Sequence, residues 1–236
     1  MRDIVGLFDV SERDEARSRV DRLCVAIHAL GCDGQAYRRD RASAARKIVS
    51  EIYSAPRVTA AARRLPKYGM MPGLALDITV DDDTGLPFDF SVQAQRDKAE
   101  ALLDAQEPFL LIGSPMCTAF SAIQAINKAR RDPAVIEREL IAGRLHLSWC
   151  CHLYCKQVAR GAYFLHEHPA GASSWTEPCV LRVLAFNGVR RVRSDQCQHG
   201  QESELGNPVK KPTGFMSNAA CLLEALDRRC FGRKGL

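Results

Sequence analysis

The stretch Phe109-Leu110-Leu111-Ile112-Gly113-Ser114-Pro115-Met116-Cys117-Thr118-Ala119-Phe120-Ser121 decides the fold. Phe109 to Ile112 is uniformly apolar, and a short apolar run closed by Gly113 and Pro115 reads as a buried strand ending in a turn. A helical pattern follows over Ala119–Arg131. A strand passing through a turn into a helix is the repeating unit of a parallel α/β sheet. Open α/β sheets bind ligands beyond the carboxyl ends of their strands, and Cys117 stands at that end. Backbone N–H groups at a helix start can lower a thiol pKa and so make a nucleophile. A small buried cysteine in a tight turn is the plainer reading of the same residue.

Moving outward, the same alternation recurs. Short strands are predicted at Glu51–Ser54, Leu74–Val80, Tyr163–His166 and Val189–Arg193. Helices are predicted at Ala60–Leu65, Val92–Ala105, Ala134–Arg160 with a break near Gly143, Ser174–Phe186 and Ala219–Arg229. This order implies a parallel, doubly wound sheet. Upstream, Ser11–Gly31 reads as a helix with apolar residues at Val20, Leu23, Cys24, Ile27 and Leu30, and an Arg-rich helix is expected over Gln35–Val49. Residues 1–50 are therefore assigned to a helical extension and 51–236 to the α/β unit. Gln198–Pro212 is polar and is expected to be a long loop.

Composition narrows the class. The chain has 236 residues, 46% hydrophobic and 26% charged, which is ordinary for a globular protein with a real core. Its net charge is +5, a mild excess that suits a polyanionic partner. Near the end, Arg228, Arg229, Arg233 and Lys234 are accompanied by one acid, Asp227. There are ten cysteines, yet the opening residues carry no apolar leader and no run is long enough to span a bilayer. Reduced thiols and an intracellular location, nuclear or cytoplasmic, are expected. Cys150, Cys151, His152 and Cys155 could suggest a metal, but they lie within an apolar helical run and read as packing; no metal site is expected.

A second chemical group ends another apolar strand: Phe164-Leu165-His166-Glu167-His168-Pro169. A carboxylate between two imidazoles at a strand end suits acid/base chemistry, or is a solvated polar cap.

Together these segments resemble C5-cytosine DNA methyltransferases. Pro115, Cys117, Phe120 and Ser121 match the family's Pro-Pro-Cys-x-x-Phe-Ser signature, with Met116 in place of the second proline. Glu167 and Pro169 match its Glu-Asn-Pro element, with His168 in place of asparagine. The resemblance spans roughly Glu51 to Asn218. It implies a Rossmann-like S-adenosylmethionine-dependent methyltransferase fold, with DNA as partner. Cys117 would add covalently to cytosine C6, and Glu167 would act as the acid at N3, on a base extruded from the duplex. Asp195–Gly200 and Lys210-Lys211-Pro212-Thr213-Gly214-Phe215 resemble a strand pair in which Lys211 would serve as a basic residue near the target base; a β-hairpin with a lysine on its solvated face is the plainer reading.

The resemblance places Ser54, Arg57, Asp77, Asp89 and Pro115 around S-adenosyl-L-methionine. Asp77 would bind ribose hydroxyls and Asp89 the adenine amino group. The family's glycine-rich first loop is here Ser54-Ala55-Pro56-Arg57, without glycine. The stretch after Lys211 is too short for a target-recognition domain, so sequence choice is expected from a partner chain or a fused domain. Two alternatives remain. One is a catalytically degenerate, nucleic-acid-binding module of a mobile-element polyprotein. The other is an unrelated cysteine hydrolase using Cys117 with His166 or His168.

Overall fold

The computed structural model describes residues 22, 25–30, 33, 34, 36, 37, 47–65, 69–121 and 130–232. Six strands form one mixed sheet: β1 (Ile48–Ile52), β2 (Met71–Leu76), β3 (Leu110–Gly113), β4 (Tyr163–Pro169), β5 (Arg190–Asp195) and β6 (Pro212–Ser217). Among the described residues from Lys47 onward, five helices accompany them: α1 (Val58–Arg64), α2 (Gln93–Gln106), α3 (Pro133–Ala159), α4 (Pro178–Leu184) and α5 (Ala220–Leu226).

The strand order is β2-β1-β3-β4-β6-β5. The first four strands are mutually parallel, while β6 lies antiparallel to both β4 and β5. The sheet is thus α/β and compatible with a Rossmann-like fold, but the expectation of a wholly parallel sheet is corrected by the reversed β6. Its residues Thr213, Gly214, Met216 and Ser217 are buried between two neighbours, so the segment expected as one strand of a pair or hairpin is interior sheet. From β1 the chain winds outward to β2, then returns to the other side as β3. The crevice between the carboxyl ends of β1 and β3 is the switch point at which such sheets bind ligands.

Side-chain alternation sorts the residues by face. Ile52, Gly113 and His166 are register partners on one face, as are Ser50, Leu111 and Phe164. This face packs against α3, whose Leu147, Trp149, Cys150, Leu153, Tyr154 and Val158 are buried. Tyr154 stacks on Phe164 with ring centroids 4.6 Å apart. On the opposite face, α1 buries Thr59 and Ala62 beside Glu51, and α5 buries Leu223 against β5 and β6. No helix among the described residues is long and apolar enough to cross a membrane.

Several element boundaries differ from the sequence expectation. β1 starts at Ile48, inside the stretch expected to be an Arg-rich helix, and ends at Ile52 before the turn. β2 ends at Leu76, so Ile78 and Val80 belong to the following loop. α3 is unbroken at Gly143, where hydrogen replaces a side chain because Ala119 and Phe120 press against the helix: a Cβ would lie 3.1 Å from each. The segment expected as one helix from Ser174 divides into a 3-10 turn, Ser173–Thr176, and α4, with Glu177 extended between them. After Cys117 only the 3-10 turn Thr118–Phe120 is described; the rest of the expected Ala119–Arg131 helix up to residue 129 lies outside the described residues. Of the expected N-terminal helix, residues 25–29 are helical, and most of the remainder lies outside the described residues.

Gly113 joins the core to the turn that follows. A Cβ there would collide with the Tyr154 hydroxyl and lie 2.8 Å from the Cys150 sulfur, both fully buried. Gly113→Ala should therefore destabilise the protein by about 1–3 kcal/mol through overpacking. Gly171→Ala, with nothing within 4 Å of its added carbon, should leave the urea midpoint close to that of the parent. Equal midpoints for both variants would contradict this packing.

Candidate active site

Every chemically notable segment leaves the sheet at one edge. The parallel strands β1–β4 end there, and β6, running the other way, begins there. Cys117 follows β3, Glu167 lies near the end of β4, and Lys211 directly precedes β6. Asp77 follows β2 immediately, and Asp89 stands in the loop between β2 and α2.

The turn after β1 is organised by Glu51. Its side chain is 1% exposed, in a strand whose other buried residues are Val49, Ser50 and Ile52. A buried carboxylate is tolerated only when its lone pairs are filled. Here Oε1 accepts from Thr59 N at 2.7 Å, Thr59 Oγ1 at 2.8 Å and Arg57 N at 3.1 Å, and Oε2 accepts from Val58 N at 3.1 Å. The Ser54 hydroxyl lies 3.2 Å from Oε2. These are the otherwise unpaired N–H groups that open a helix. The hydroxyl of Ser54 and the N–H of Arg57, both expected to face a cofactor, thus make internal bonds, Arg57 to Glu51 and Ser54 to the Ala55 carbonyl at 2.8 Å or to Glu51.

Tyr53 takes the positive φ of 57° that a glycine would hold more easily. It is fixed by its hydroxyl, 2.9 Å from His146 Nδ1, and by edge contacts with Phe90 and Trp149. Burial lowers the His146 pKa. Sequence reasoning missed Glu51 and Tyr53 as organisers of this turn; the legible signal was one acid within Ile48-Val49-Ser50-Glu51-Ile52.

Asp77 and Asp89 are both half-buried. Asp77 Oδ1 accepts from Thr79 N at 3.0 Å and Thr79 Oγ1 at 2.7 Å. Asp89 Oδ1 accepts from Ser91 N at 2.9 Å, and its pKa is lowered chiefly by hydrogen bonding from Ser91. In each case the bonds among the described residues go to one carboxylate oxygen.

Cys117 is half-buried, and Pro115 is buried with Met116 exposed between them. The turn is held by His168, whose ring is 1% exposed. His168 Nε2 lies 2.9 Å from the Pro115 carbonyl, which can only accept, so Nε2 carries a proton. Burial pushes the His168 pKa down to about 4, so the ring is neutral near pH 7, and its Nδ1 accepts from the Ser174 hydroxyl at 2.7 Å. Phe120 packs beneath, between His168 and Gly143. The end of β4 and the Cys117 turn are therefore joined by a direct bond.

His166 is fully buried, with Nδ1 3.1 Å from the Tyr154 hydroxyl, and burial holds its pKa well below the usual imidazole range. Neither imidazole bonds to Cys117, and both His168 nitrogens are engaged elsewhere, which weakens the hydrolase alternative.

Glu167 points to the face opposite His166 and His168. It is half-buried, and its Oε1 is enclosed without a hydrogen-bond partner among the described residues. Lys211 is exposed, and its carbonyl accepts from Gln196 N at 3.1 Å, which anchors the start of β6. The cysteine cluster of α3 divides between environments: Cys150 and Cys151 are core, while His152 is exposed and lies 3.0 Å from Glu100. Compared with models of known families and with curated proteins, the chain matches none.

The His168 geometry has a consequence for pH. An unfolded histidine titrates near 6.5, so as pH falls through about 6.5 the unfolded chain takes up a proton that the folded ring refuses until about pH 4. Stability should fall across that window. From pH 7 to about pH 4.5 the parent should lose about 2 kcal/mol more than His168→Asn, as read by urea unfolding at both pH values. Parallel pH profiles would show that His168 is not held neutral.

Proposed function

We propose that this chain is a DNA (cytosine-5)-methyltransferase-like protein with Cys117 as nucleophile and Glu167 as acid. One observation carries the reading. The 2.9 Å bond from His168 to the Pro115 carbonyl joins the Glu167 strand end to the Cys117 turn, beside the crevice where a doubly wound sheet binds ligands. The reversed β6 is compatible with this version of the fold.

In the proposed reaction, the Cys117 thiolate adds to cytosine C6 while Glu167 donates a proton at N3. The Glu167 oxygen without a partner supports this role, because an enclosed unpaired oxygen is costly unless a ligand or proton fills it. Addition leaves C5 electron-rich. S-adenosylmethionine, when bound, supplies an electrophilic methyl group to that carbon. Loss of the C5 proton to a base then expels the Cys117 sulfur from C6, restores the C5=C6 double bond, and returns the N3 proton to Glu167. Lys211, at the same rim, would meet the nucleic acid near the target base.

The residues present fit the nucleoside half of the cofactor, since Asp77 and Asp89 are half-buried acids beyond β2, each with bonds confined to one oxygen. Asp77 would meet the ribose hydroxyls and Asp89 the adenine amino group. Pro115 and the Ser54–Arg57 turn would border the methionine half. A second reading, a methyltransferase-like module that binds nucleic acid without turnover, is favoured by Glu51, which already occupies the N–H groups of the β1 turn.

DNA carrying 5-fluorocytosine should form a covalent adduct with the wild type in the presence of S-adenosylmethionine, because fluorine blocks the elimination. Cys117→Ser should give no shifted band on a denaturing gel, and Glu167→Gln should retain cofactor binding but lose turnover. No adduct for the wild type across many DNA sequences would reject the active methyltransferase in favour of the second reading.

Calorimetric titration with S-adenosylmethionine tests the acids separately. Losing a charge-assisted hydrogen bond costs about 1.5–3 kcal/mol, so Asp77→Ala should bind about ten- to a hundredfold more weakly. Unchanged affinity would remove Asp77 from the site.

A further inference from the structure

The outer edge of the sheet carries charge that the proposed reaction does not use. β5 is the last strand, and Arg190, Arg191 and Arg193 are exposed along it. The segment after α5 runs back against its end: Asp195 N donates to the Arg228 carbonyl at 2.9 Å, and Cys230 N donates to Asp195 Oδ2 at 2.8 Å. Between strand and segment lies a cleft of about 330 Å³, lined by Arg191, Val192, Arg193, Asp227 and Arg229.

Three arginines and one aspartate thus line the cleft. Their internal contacts are weak or partial. Arg229 Nε is 3.6 Å from Asp227, and Arg193 Nη2 is 4.0 Å from Asp195. Arg191 is more firmly set, with its guanidinium 3.9 Å over the Trp175 ring and one N–H donated to the Ala170 carbonyl at 2.6 Å. A guanidinium is a planar fork with several donors, and most of these remain available. Planar forks suit phosphate oxygens.

Position selects the kind of phosphate. β5 is two strands from β4, or about 10 Å at a strand spacing of about 4.8 Å. One strand of duplex DNA rises about 3.4 Å per phosphate, so the cleft lies about three nucleotides from a base at Glu167. Exposed Lys210 and Lys211, in the connection between β5 and β6, extend the positive surface towards that base.

We propose that the cleft between β5 and residues 227–229 grips the sugar-phosphate backbone of the DNA flanking the target cytosine. This rests on the methyltransferase-like reading for the position of the base, but not for the binding itself. Phosphate contacts set register without reading sequence.

The test is anisotropy of a labelled DNA duplex, without cofactor, across about 50–200 mM salt. It compares the full chain with Arg193→Gln/Arg229→Gln and with Arg63→Gln/Arg64→Gln. The last pair is exposed in the final turn of α1, towards the amino edge of the sheet, and is a charge-matched control. The cleft variant should bind about ten- to a hundredfold more weakly at low salt, and its log–log salt slope should be shallower by about 2, since each phosphate contact contributes about 0.9. The control should follow the wild type, and Arg193→Lys/Arg229→Lys should recover the slope.

Arginines on an edge strand can also serve only to prevent sheet-to-sheet pairing. Equal affinity and slope for the cleft variant and the wild type would establish that role and overturn the proposal, as would a wild type that does not bind the duplex. Binding that depends on the cleft, without a fluorocytosine adduct, would sustain the cleft and reject the methyl-transfer reading. An adduct with no dependence on the cleft arginines would do the reverse.

Discussion

The buried carboxylate of Glu51 is the constraint on which the working edge of the sheet depends. A parallel strand that enters a helix through a tight turn leaves the helix's first N–H groups without partners, at the place where a ligand is to be bound. Three arrangements satisfy them: water, a ligand anion, or a side chain. This chain uses a side chain, drawn from the strand itself, and so the turn is complete without a ligand. That removes the need for glycines that would let a ligand approach the backbone. It also explains how Tyr53 can hold a positive φ: the turn is bounded by Glu51 on one side and by the Phe90, Trp149 and His146 contacts on the other.

A second constraint acts across the sheet from β3 to β4. Gly113 gives room for Tyr154, whose hydroxyl lies 3.2 Å from the Gly113 carbonyl and 3.1 Å from His166. Two residues further along each strand, His168 bonds to the carbonyl of Pro115. The two histidines thus sit one above the other on the α3 face, ring centroids 4.8 Å apart, and both are kept neutral by burial. Neutrality matters, because two adjacent imidazolium ions without counter-charge would not be stable in this interior. The pair works as a hydrogen-bonded spacer, and Glu167, out of step by one residue, is left on the other face with an oxygen free of internal bonds.

Much of this was legible in the sequence, and what was not has physical reasons. The apolar run ending at Gly113, the turn through Pro115 and the long α3 pattern were readable because one force, burial of apolar side chains, determines them. β1 was placed three residues late because Ser50 and Glu51 are polar yet buried, which breaks the apolar signature while satisfying the fold. β6 was readable as one strand of a pair but not as interior sheet, because Pro212 and Gly214 are poor residues for a central strand. Pro212 can begin a strand without a ladder donor, and Gly214 is required where a Cβ would come 2.6 Å from the Trp175 ring. Long-range contacts of this kind leave no periodicity. For the same reason His168 could be noted as a departure from asparagine, while its bond to Pro115 could not be foreseen.

These constraints bear on how a cofactor could be held. A ligand carboxylate brought to the β1 turn would have to compete with Glu51 for the same three N–H groups, at close range to a like charge, in a poorly solvated place. Both effects oppose binding there, whereas Asp77 and Asp89 each keep acceptor capacity on a second oxygen. Affinity for an adenosine-containing ligand would therefore come mainly from the two acids and the crevice walls, and a ligand lacking the carboxylate would lose little. The stiffness that Glu51 confers has the opposite effect on the Cys117 turn: a β1 turn completed internally, beside a β3 turn held by the His168–Pro115 bond, keeps the backbone around Cys117 in place without a ligand. On this account the edge is built for positioning first and for ligand affinity second.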